Sequence, residues 1–154
     1  GVLVLTGSPT GGYNVVNCTI AGNYSANVGG GVGTRGASNT ILNSVIAGNT
    51  AAAGSPDIYN LDPTTTNHFH HSCSPTLELG PERGNVFADP KYAAAGAADF
   101  RLRASSPCID AGTNMNWMTN AVDLAGNPRI RFDVVDMGAY ELLLKIKGAI
   151  FHVR

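Results

Sequence analysis

Four aspartates and two arginines in the C-terminal third of this 154-residue chain are the residues best suited to hold a cation or to act as acid and base. Carboxylates are the ligands that Ca²⁺ prefers, and a carboxylate beside a basic group is a common catalytic pair. However, each aspartate precedes a glycine closely or lies beside an arginine, which is typical of Asx turns and structural ion pairs. A structural role is therefore favoured over Ca²⁺ binding for Asp110, Asp123, Arg129, Arg131, Asp133 and Asp136.

Two histidines could also bind a metal. On a strand, His68 and His70 would share one face, as two Zn²⁺ ligands do, but no third ligand is evident and the spacing matches no known metal signature. A polar strand or loop is the favoured interpretation. The sequence therefore predicts no metal and no other cofactor, and Asp123, Asp133 and Asp136 are the alternative ligands if Ca²⁺ binds.

Three cysteines leave at least one thiol without a disulfide partner inside the chain. Cys18 lies in an apolar segment and is predicted to be buried and inert. Cys73 and Cys108 are candidates for a disulfide, which would suit a secreted protein, but the sequence does not place their Cα atoms within reach. Both states of this pair remain open.

The element that must position these groups is a repeat. Residues 16–23 and 42–49 align without a gap, 26 residues apart, and keep Asn, Ile, Ala, Gly and Asn in register. Apolar and polar residues alternate in both, which predicts strands with Val16, Cys18 and Ile20, and likewise Leu42, Ser44 and Ile46, on one face. Stacking the copies places Ile20 on Ile46 in the core and bonds Asn23 to Asn49.

Stacked strands of this kind predict an all-β fold, a parallel β-helix or solenoid of about three coils. A third copy at 67–74 requires an offset of 27, with Phe69 following Leu42. The coils are predicted to occupy residues 1–83 of one domain. Residues 84–141, which we call the closing segment, have short strands and Asp/Gly turns, and 142–154 form an extra strand or tail.

Composition limits the partners. The net charge of −1, with 14% charged residues, offers no basic face for nucleic acid. No apolar run of about 18 residues occurs, so no membrane span is predicted.

The closing segment contains five short sequence runs, at residues 84–90, 99–102, 106–112, 123–129 and 136–141. Their succession resembles the C-terminal end of bacterial right-handed parallel β-helix repeat proteins. The resemblance implies a right-handed solenoid and a secreted or cell-surface location. That group includes adhesins and carbohydrate-active enzymes, so the fold does not fix the function.

Two classes of function remain. The favoured one is a noncatalytic module, structural, adhesive or glycan-binding, because almost no titratable residues occur in the coils. The alternative is a polysaccharide lyase or glycosidase-like enzyme fragment, with carboxylates and a basic residue along one sheet. A homodimer is also predicted, through the apolar stretches Val2–Leu5 or Leu142–Val153.

Overall fold

The computed structural model describes residues 3–6, 12–36, 38–76 and 80–143, and within these ranges the fold is all-β, with no α-helix. Short 3₁₀ helices lie at Pro81–Arg83, Ala95–Ala97 and Asn116–Asn120. The strands are β1 (Leu3–Thr6), β2 (Asn14–Val16), β3 (Thr19–Ile20), β4 (Tyr24–Ser25), β5 (Val32–Arg35), β6 (Asn39–Leu42), β7 (Val45–Ile46), β8 (Thr50–Ala51), β9 (Ile58–Asn60), β10 (Asn67–His70), β11 (Tyr92–Ala94) and β12 (Asp99–Leu102).

Strands of successive repeats pair in parallel. β2 pairs with β6, β3 with β7 and β4 with β8, and the paired residues are 26 positions apart, as in Ile20 with Ile46. β5 pairs with β9 at the same offset and with β1 on its other side. The sequence repeat therefore sets the register of four separate strand pairs, because the same 26-residue offset places the apolar core residues side by side, as in Val32 with Ile58.

The third repeat has a different offset from the predicted one. β10 pairs with β6 at 28 residues, so Phe69 lies beside Ile41 and not beside Leu42. The prediction of 27 is wrong by one residue, and such an error exchanges the two faces of a strand. The two extra residues lie in the turn after β9, where Thr65 N donates to Asp62 O at 2.9 Å. A surface turn absorbs such an insertion at little cost.

A residue with a left-handed backbone conformation occurs at the same place in each of three successive repeats. Asn17, Asn43 and His71, which we call the corner residues, have φ values of 52°, 49° and 44°. Asparagine and histidine enter this backbone region more readily than most residues do. Each corner follows the last residue of β2, β6 or β10, so the chain turns where the alternating pattern predicted one continuous strand.

The corner also changes which side chains face inward. Ile41 and Ile46 are both buried in one hydrophobic cluster, whereas Leu42 is only half-buried. The prediction that Leu42, Ser44 and Ile46 share one face is therefore wrong for Leu42, because the alternation restarts after the turn at Asn43. This first cluster consists of Val15, Val32, Ile41, Ile46 and Ile58, with Cys18, Ile20 and Phe69 packed against it.

Ile20 and Ile46 differ in burial although they are paired. Ile46 is 1% exposed, as predicted, but Ile20 is half-buried and packs at the margin of the first cluster. Within the described ranges β3 pairs only with β7, so Ile20 has a strand on one side only. The prediction of full burial is therefore wrong for Ile20.

A second hydrophobic cluster joins the repeats to the closing segment. Val45 points away from Ile46, as neighbours in a strand do, and packs with Cys73 against Leu102, Cys108 and Met137. The closing segment thus covers the outer face of the repeat strands. It contributes the antiparallel pair β11–β12, whose Tyr92 and Phe100 rings meet edge to face at 5.2 Å.

The chain ends are described only in part. Val2 and residues 144–154 lie outside the described ranges, so the predicted C-terminal strand has no structural account beyond Leu143. Leu3–Thr6 form β1, which pairs with β5. No helix in the described ranges is long and apolar enough to cross a membrane.

Replacement of Ile46 by alanine is expected to lower the free energy of unfolding by about 2–5 kcal/mol, because it leaves a cavity in the first cluster. Urea unfolding followed by circular dichroism measures the loss. Ile20→Ala is the matched control and should cost clearly less, since Ile20 is half-buried. Equal losses for the two variants would contradict this packing.

Candidate functional site

The closing segment hydrogen bonds to all three corner residues, and the bonds of Asn43 and His71 are described first. Asn43 Nδ2 donates to Thr113 O at 2.8 Å, and Asn43 Oδ1 accepts from Thr113 N at 2.8 Å. The Gly138 N–H donates to the Asn43 carbonyl oxygen at 2.7 Å. His71 Nδ1 lies 3.0 Å from Ala111 O, a bond that requires the proton on Nδ1. The left-handed corners therefore serve as docking points, because they turn polar groups outward.

Arg129 joins the remaining corner residue to a buried group of charges. Its Nη2 donates to the carbonyl oxygens of Asn17 and Gly138, and its Nε lies 3.1 Å from the Asn17 amide oxygen in the orientation that satisfies both groups. Nη1 lies 3.2 Å from Glu141 Oε1, and both side chains are 3% exposed. We call the following four residues the charge cluster: Asp123, Arg129, Asp136 and Glu141.

Backbone N–H groups hold the three carboxylates of the charge cluster. Asp136 Oδ1 accepts from Asp110 N and Oδ2 from Leu142 N, both at 2.7 Å. Glu141 Oε2 accepts from Asp136 N at 3.0 Å, and Asp123 Oδ2 accepts from Glu141 N at 2.9 Å. These bonds join Asp110, Asp123 and the stretch from Asp136 to Leu142, which lie far apart in the sequence.

The charge cluster has three carboxylates for one guanidinium, and this imbalance shifts their protonation. Desolvation raises the pKa of Glu141 to about 8, with the negative charge of Asp136 adding to the effect. Desolvation also raises the pKa of Asp136. Burial acts the same way on Asp123, but hydrogen bonds from Glu141 N and from Asn127 bring the pKa of Asp123 below its usual value. Glu141 therefore carries a proton at neutral pH, whereas Asp123 is ionised.

An aromatic side chain is presented to solvent beside this cluster. Met118 is fully buried and anchors the 3₁₀ helix Asn116–Asn120. Its neighbour Trp117 consequently faces outward, with 53% of its surface exposed. A tryptophan left this open in a folded chain is a candidate contact for a ligand.

Asp123 shapes the loop that faces Trp117. Its Oδ1 accepts hydrogen bonds from Ala125 N at 2.9 Å and from Asn127 N at 2.8 Å, which is an Asx turn. The turn leaves Leu124 71% exposed at its tip. The same carboxylate thus builds the loop and belongs to the charge cluster.

Trp117 and this loop enclose an open groove of about 340 Å³. The apolar walls are Trp117, Val122 and Leu124, which are all exposed. Asn17, Asp123 and Arg129 supply the polar lining, and Ala139 completes it. A flat ring beside amide, carboxylate and guanidinium groups suits a ligand that has one apolar face and several hydroxyls.

The predicted cation ligands do not converge in the structure. Asp123 and Asp136 both join the charge cluster, and Asp110 donates its N–H to Asp136. Asp133 is exposed at a turn, has a φ of 109° and forms none of the hydrogen bonds of the charge cluster described above. Arg131 stacks on Phe132, with its Cζ 5.4 Å from the ring centre. In the residues described, no group of three or more His, Cys, Asp or Glu side chains could hold a metal ion.

His68 and His70 lie on β10, on either side of Phe69. They pair with Thr40 and Leu42 of β6, and both are half-buried. Neither is part of the groove. They occupy a paired strand, which is the structural interpretation that the sequence favoured.

The predicted asparagine pair is present in the structure. Asn23 Nδ2 donates to Asn49 Oδ1 at 3.0 Å, and the Asn23 N–H donates to the same oxygen. Asn49 Nδ2 in turn donates to Ile20 O at 2.9 Å and to Asp57 Oδ1 at 2.9 Å. This pair holds two repeats together and lies away from the groove lining.

Two residues of the site were not singled out from the sequence. Glu141 ends the run 136–141 and was given no role, although a buried guanidinium such as that of Arg129 requires polar partners. Trp117 is the only tryptophan, and the asparagines at 114, 116 and 120 around it form no apolar stripe, which is a signal for exposure.

No family model matches the chain, and no curated protein and no solved structure is significantly similar to it. The resemblance to β-helix repeat proteins accordingly stays a prediction. The function of the groove therefore has to follow from the residues that line it.

Replacement of Asn43 by glycine is expected to destabilise the protein by about 2–3 kcal/mol, because it leaves the N–H and C=O of Thr113 without partners. Glycine keeps the left-handed backbone at no steric cost, so the loss reports the docking bonds alone. Urea unfolding measures it, with exposed Asn27→Gly as control. A cost equal to that of the control would show that Asn43 does not hold the closing segment.

The raised pKa of Glu141 predicts that the protein loses stability as the pH rises from about 4.5 to about 8. The folded state keeps a proton that the unfolded chain releases above pH 4.5, so the stabilisation is complete below that pH and lost above 8. The loss is on the order of 3–5 kcal/mol. Midpoints of urea unfolding across this pH range measure it.

Glu141→Gln removes the titrating group and should flatten the pH dependence, whatever the absolute stability of the variant. Asp136, whose pKa is also raised, accounts for any slope that remains. Exposed Glu82→Gln is the control and should keep the full slope. An unchanged slope in Glu141→Gln would contradict the assignment.

Proposed function

We propose that this chain is a noncatalytic module with a right-handed parallel β-helix of about three coils, and that it binds a glycan through the Trp117 groove. We place it with secreted or cell-surface bacterial proteins, as the resemblance of its closing segment implies. The groove is the single observation that carries the binding function. The structural or adhesive role follows if the glycan belongs to a cell surface.

The β-helix assignment draws its support from the parallel strand pairs. Four pairs keep one offset of 26 residues, and Asn23 bonds to Asn49 across the same interval. A chain that returns to the same position after a fixed number of residues, always in parallel, is the pattern that a solenoid requires.

Glycan binding draws its support from the groove's chemistry. A sugar ring has an apolar face of C–H groups that packs on an aromatic ring, and Trp117 offers such a ring at 53% exposure. The sugar hydroxyls need polar surroundings, and Asn17, Asp123 and Arg129 form the polar side of the groove. The groove is open and shallow, which suits a chain of sugars better than an enclosed small molecule.

Charge favours a neutral glycan over an acidic one. Asp123 is ionised and lines the groove, whereas Arg129 is 3% exposed and its guanidinium donates to the carbonyl oxygens of Asn17 and Gly138. A uronate carboxylate placed there would meet Asp123 without a free cation of the groove to balance it. We therefore expect hexose polymers to bind more tightly than polyuronates.

The enzyme alternative rests on one observation. Asp123 and Glu141 are neighbouring carboxylates whose pKa values are shifted in opposite directions, as in the acid and base of a glycosidase. However, Asp123 already accepts five hydrogen bonds from the protein, and Glu141 is buried behind Arg129. Both carboxylates therefore serve the fold, and a lyase or glycosidase is the weaker proposal.

A homodimer remains part of the proposal. Within the described ranges β1 forms an outer strand of the sheet β1–β5–β9, so Leu3–Leu5 lie at a sheet edge. Such an edge offers backbone groups to a second copy.

Trp117→Ala is expected to weaken glycan binding by about two- to tenfold, because stacking on an aromatic ring contributes about 0.5–1.5 kcal/mol. A glycan array identifies the ligand, and isothermal titration calorimetry compares the variants. Trp117→Phe should retain part of the affinity. Phe87→Ala, which removes another exposed aromatic ring outside the groove lining, is the matched control and should bind as the parent does.

If no glycan binds, or if Phe87→Ala weakens glycan binding as much as Trp117→Ala does, the proposal that the Trp117 groove binds a glycan is refuted. Turnover of uronate polymers or of neutral polysaccharides, lost in Asp123→Asn or Glu141→Gln, would favour the enzyme instead. If polyuronates bind more tightly than hexose polymers, the groove is still the glycan-binding site, but the predicted preference for neutral glycans is wrong.

A further inference from the structure

Two buried thiols lie side by side between the repeats and the closing segment. Cys73 is 1% exposed and Cys108 is fully buried, and both belong to the second hydrophobic cluster. Their thiols are in hydrogen-bonding contact, and both are free in the structure. The sequence left this pairing open, and the tertiary fold brings together two residues that are 35 positions apart.

Each cysteine is held by its own part of the fold. Cys73 continues the parallel ladder by bridging Val45 on one side and Val86 on the other. Cys108 receives support from Ser106, whose Oγ accepts its N–H at 3.1 Å, and its carbonyl oxygen accepts from Met137 N at 2.9 Å. The two backbones therefore hold the thiols in place without a covalent link.

We propose that Cys73 and Cys108 form a disulfide in the oxidised protein, which fastens the closing segment covalently to the third repeat. The required oxidant is a second disulfide, such as oxidised glutathione or the active-site disulfide of an oxidoreductase. One thiolate attacks that disulfide and forms a mixed disulfide, and the other thiol then displaces the leaving thiolate. The two cysteines lose two protons and two electrons in total, and the oxidant disulfide becomes two thiols.

Burial of the two thiols determines when these steps occur. Cys73 Sγ donates to Ala88 O of the closing segment at 3.2 Å, so the position of this thiol also depends on docking. Because both sulfur atoms are closed off from solvent, the reaction takes place before or while the closing segment docks, and the finished bond is protected from reductants.

Cys18 is not part of this pair. It is half-buried, packs against the first cluster, and its Sγ donates to Val16 O at 3.2 Å. The odd cysteine is thereby separated from the other two by the strands between the two clusters. Cys18→Ser removes the third thiol, so that Cys73 and Cys108 are the only cysteines of the variant.

The test uses the full chain with Cys18→Ser. The protein is unfolded, refolded in a mixture of reduced and oxidised glutathione, alkylated in denaturant and digested without reduction. Mass spectrometry should find one peptide pair that links Cys73 to Cys108. Oxidation should raise the melting temperature by roughly 10 °C, because the bond closes a long loop of the unfolded chain.

Cys18→Ser/Cys108→Ser is the matched control, and oxidation should leave its melting temperature unchanged. If this variant fails to fold, the peptide map of Cys18→Ser alone decides the question. Alkylation of both thiols after oxidative refolding, or their recovery only as mixed disulfides with glutathione, would overturn the proposal. An oxidised protein that melts at the same temperature as the reduced one would overturn the fastening role.

Discussion

The left-handed corner is the constraint on which the rest of this molecule depends. Asn17, Asn43 and His71 occupy the same backbone conformation in three repeats, and each turns the chain directly after a short strand. A turn of this kind exposes backbone and side-chain polar groups on the outer side, where they need partners. The closing segment provides them, through Thr113, Gly138, Ala111 and Arg129. The corner that shapes the repeats is thus also what attaches the second half of the chain.

The charge cluster completes this attachment at an electrostatic cost. Three carboxylates around Arg129 are well supplied with hydrogen bonds, but they cannot all ionise in a buried site beside one positive charge. The proton on Glu141 resolves the conflict. A group of this kind favours a defined arrangement of the closing segment, because each of the three carboxylates accepts a hydrogen bond from a particular backbone N–H.

The candidate binding site depends on both halves of the molecule. Asn17 comes from a corner of the repeats, whereas Trp117 and the Asp123 loop belong to the closing segment. The groove exists only where these parts meet, so its shape is coupled to docking. Groups that look catalytic in isolation, above all Asp123 and Glu141, are already engaged in holding this junction together. That engagement is why binding is a better interpretation of the site than turnover.

The sequence by itself determined the repeat, because identical strands stack in register whenever the same pattern returns after 26 residues. It also indicated the pairing of Asn23 with Asn49 and the burial of Ile46. The face of Leu42, the 28-residue offset of the third repeat, and the meeting of Arg129 with Glu141 were decided only by the tertiary structure. Local periodicity cannot report a left-handed corner, an insertion absorbed by a turn, or a contact between distant residues, since each depends on what the chain packs against.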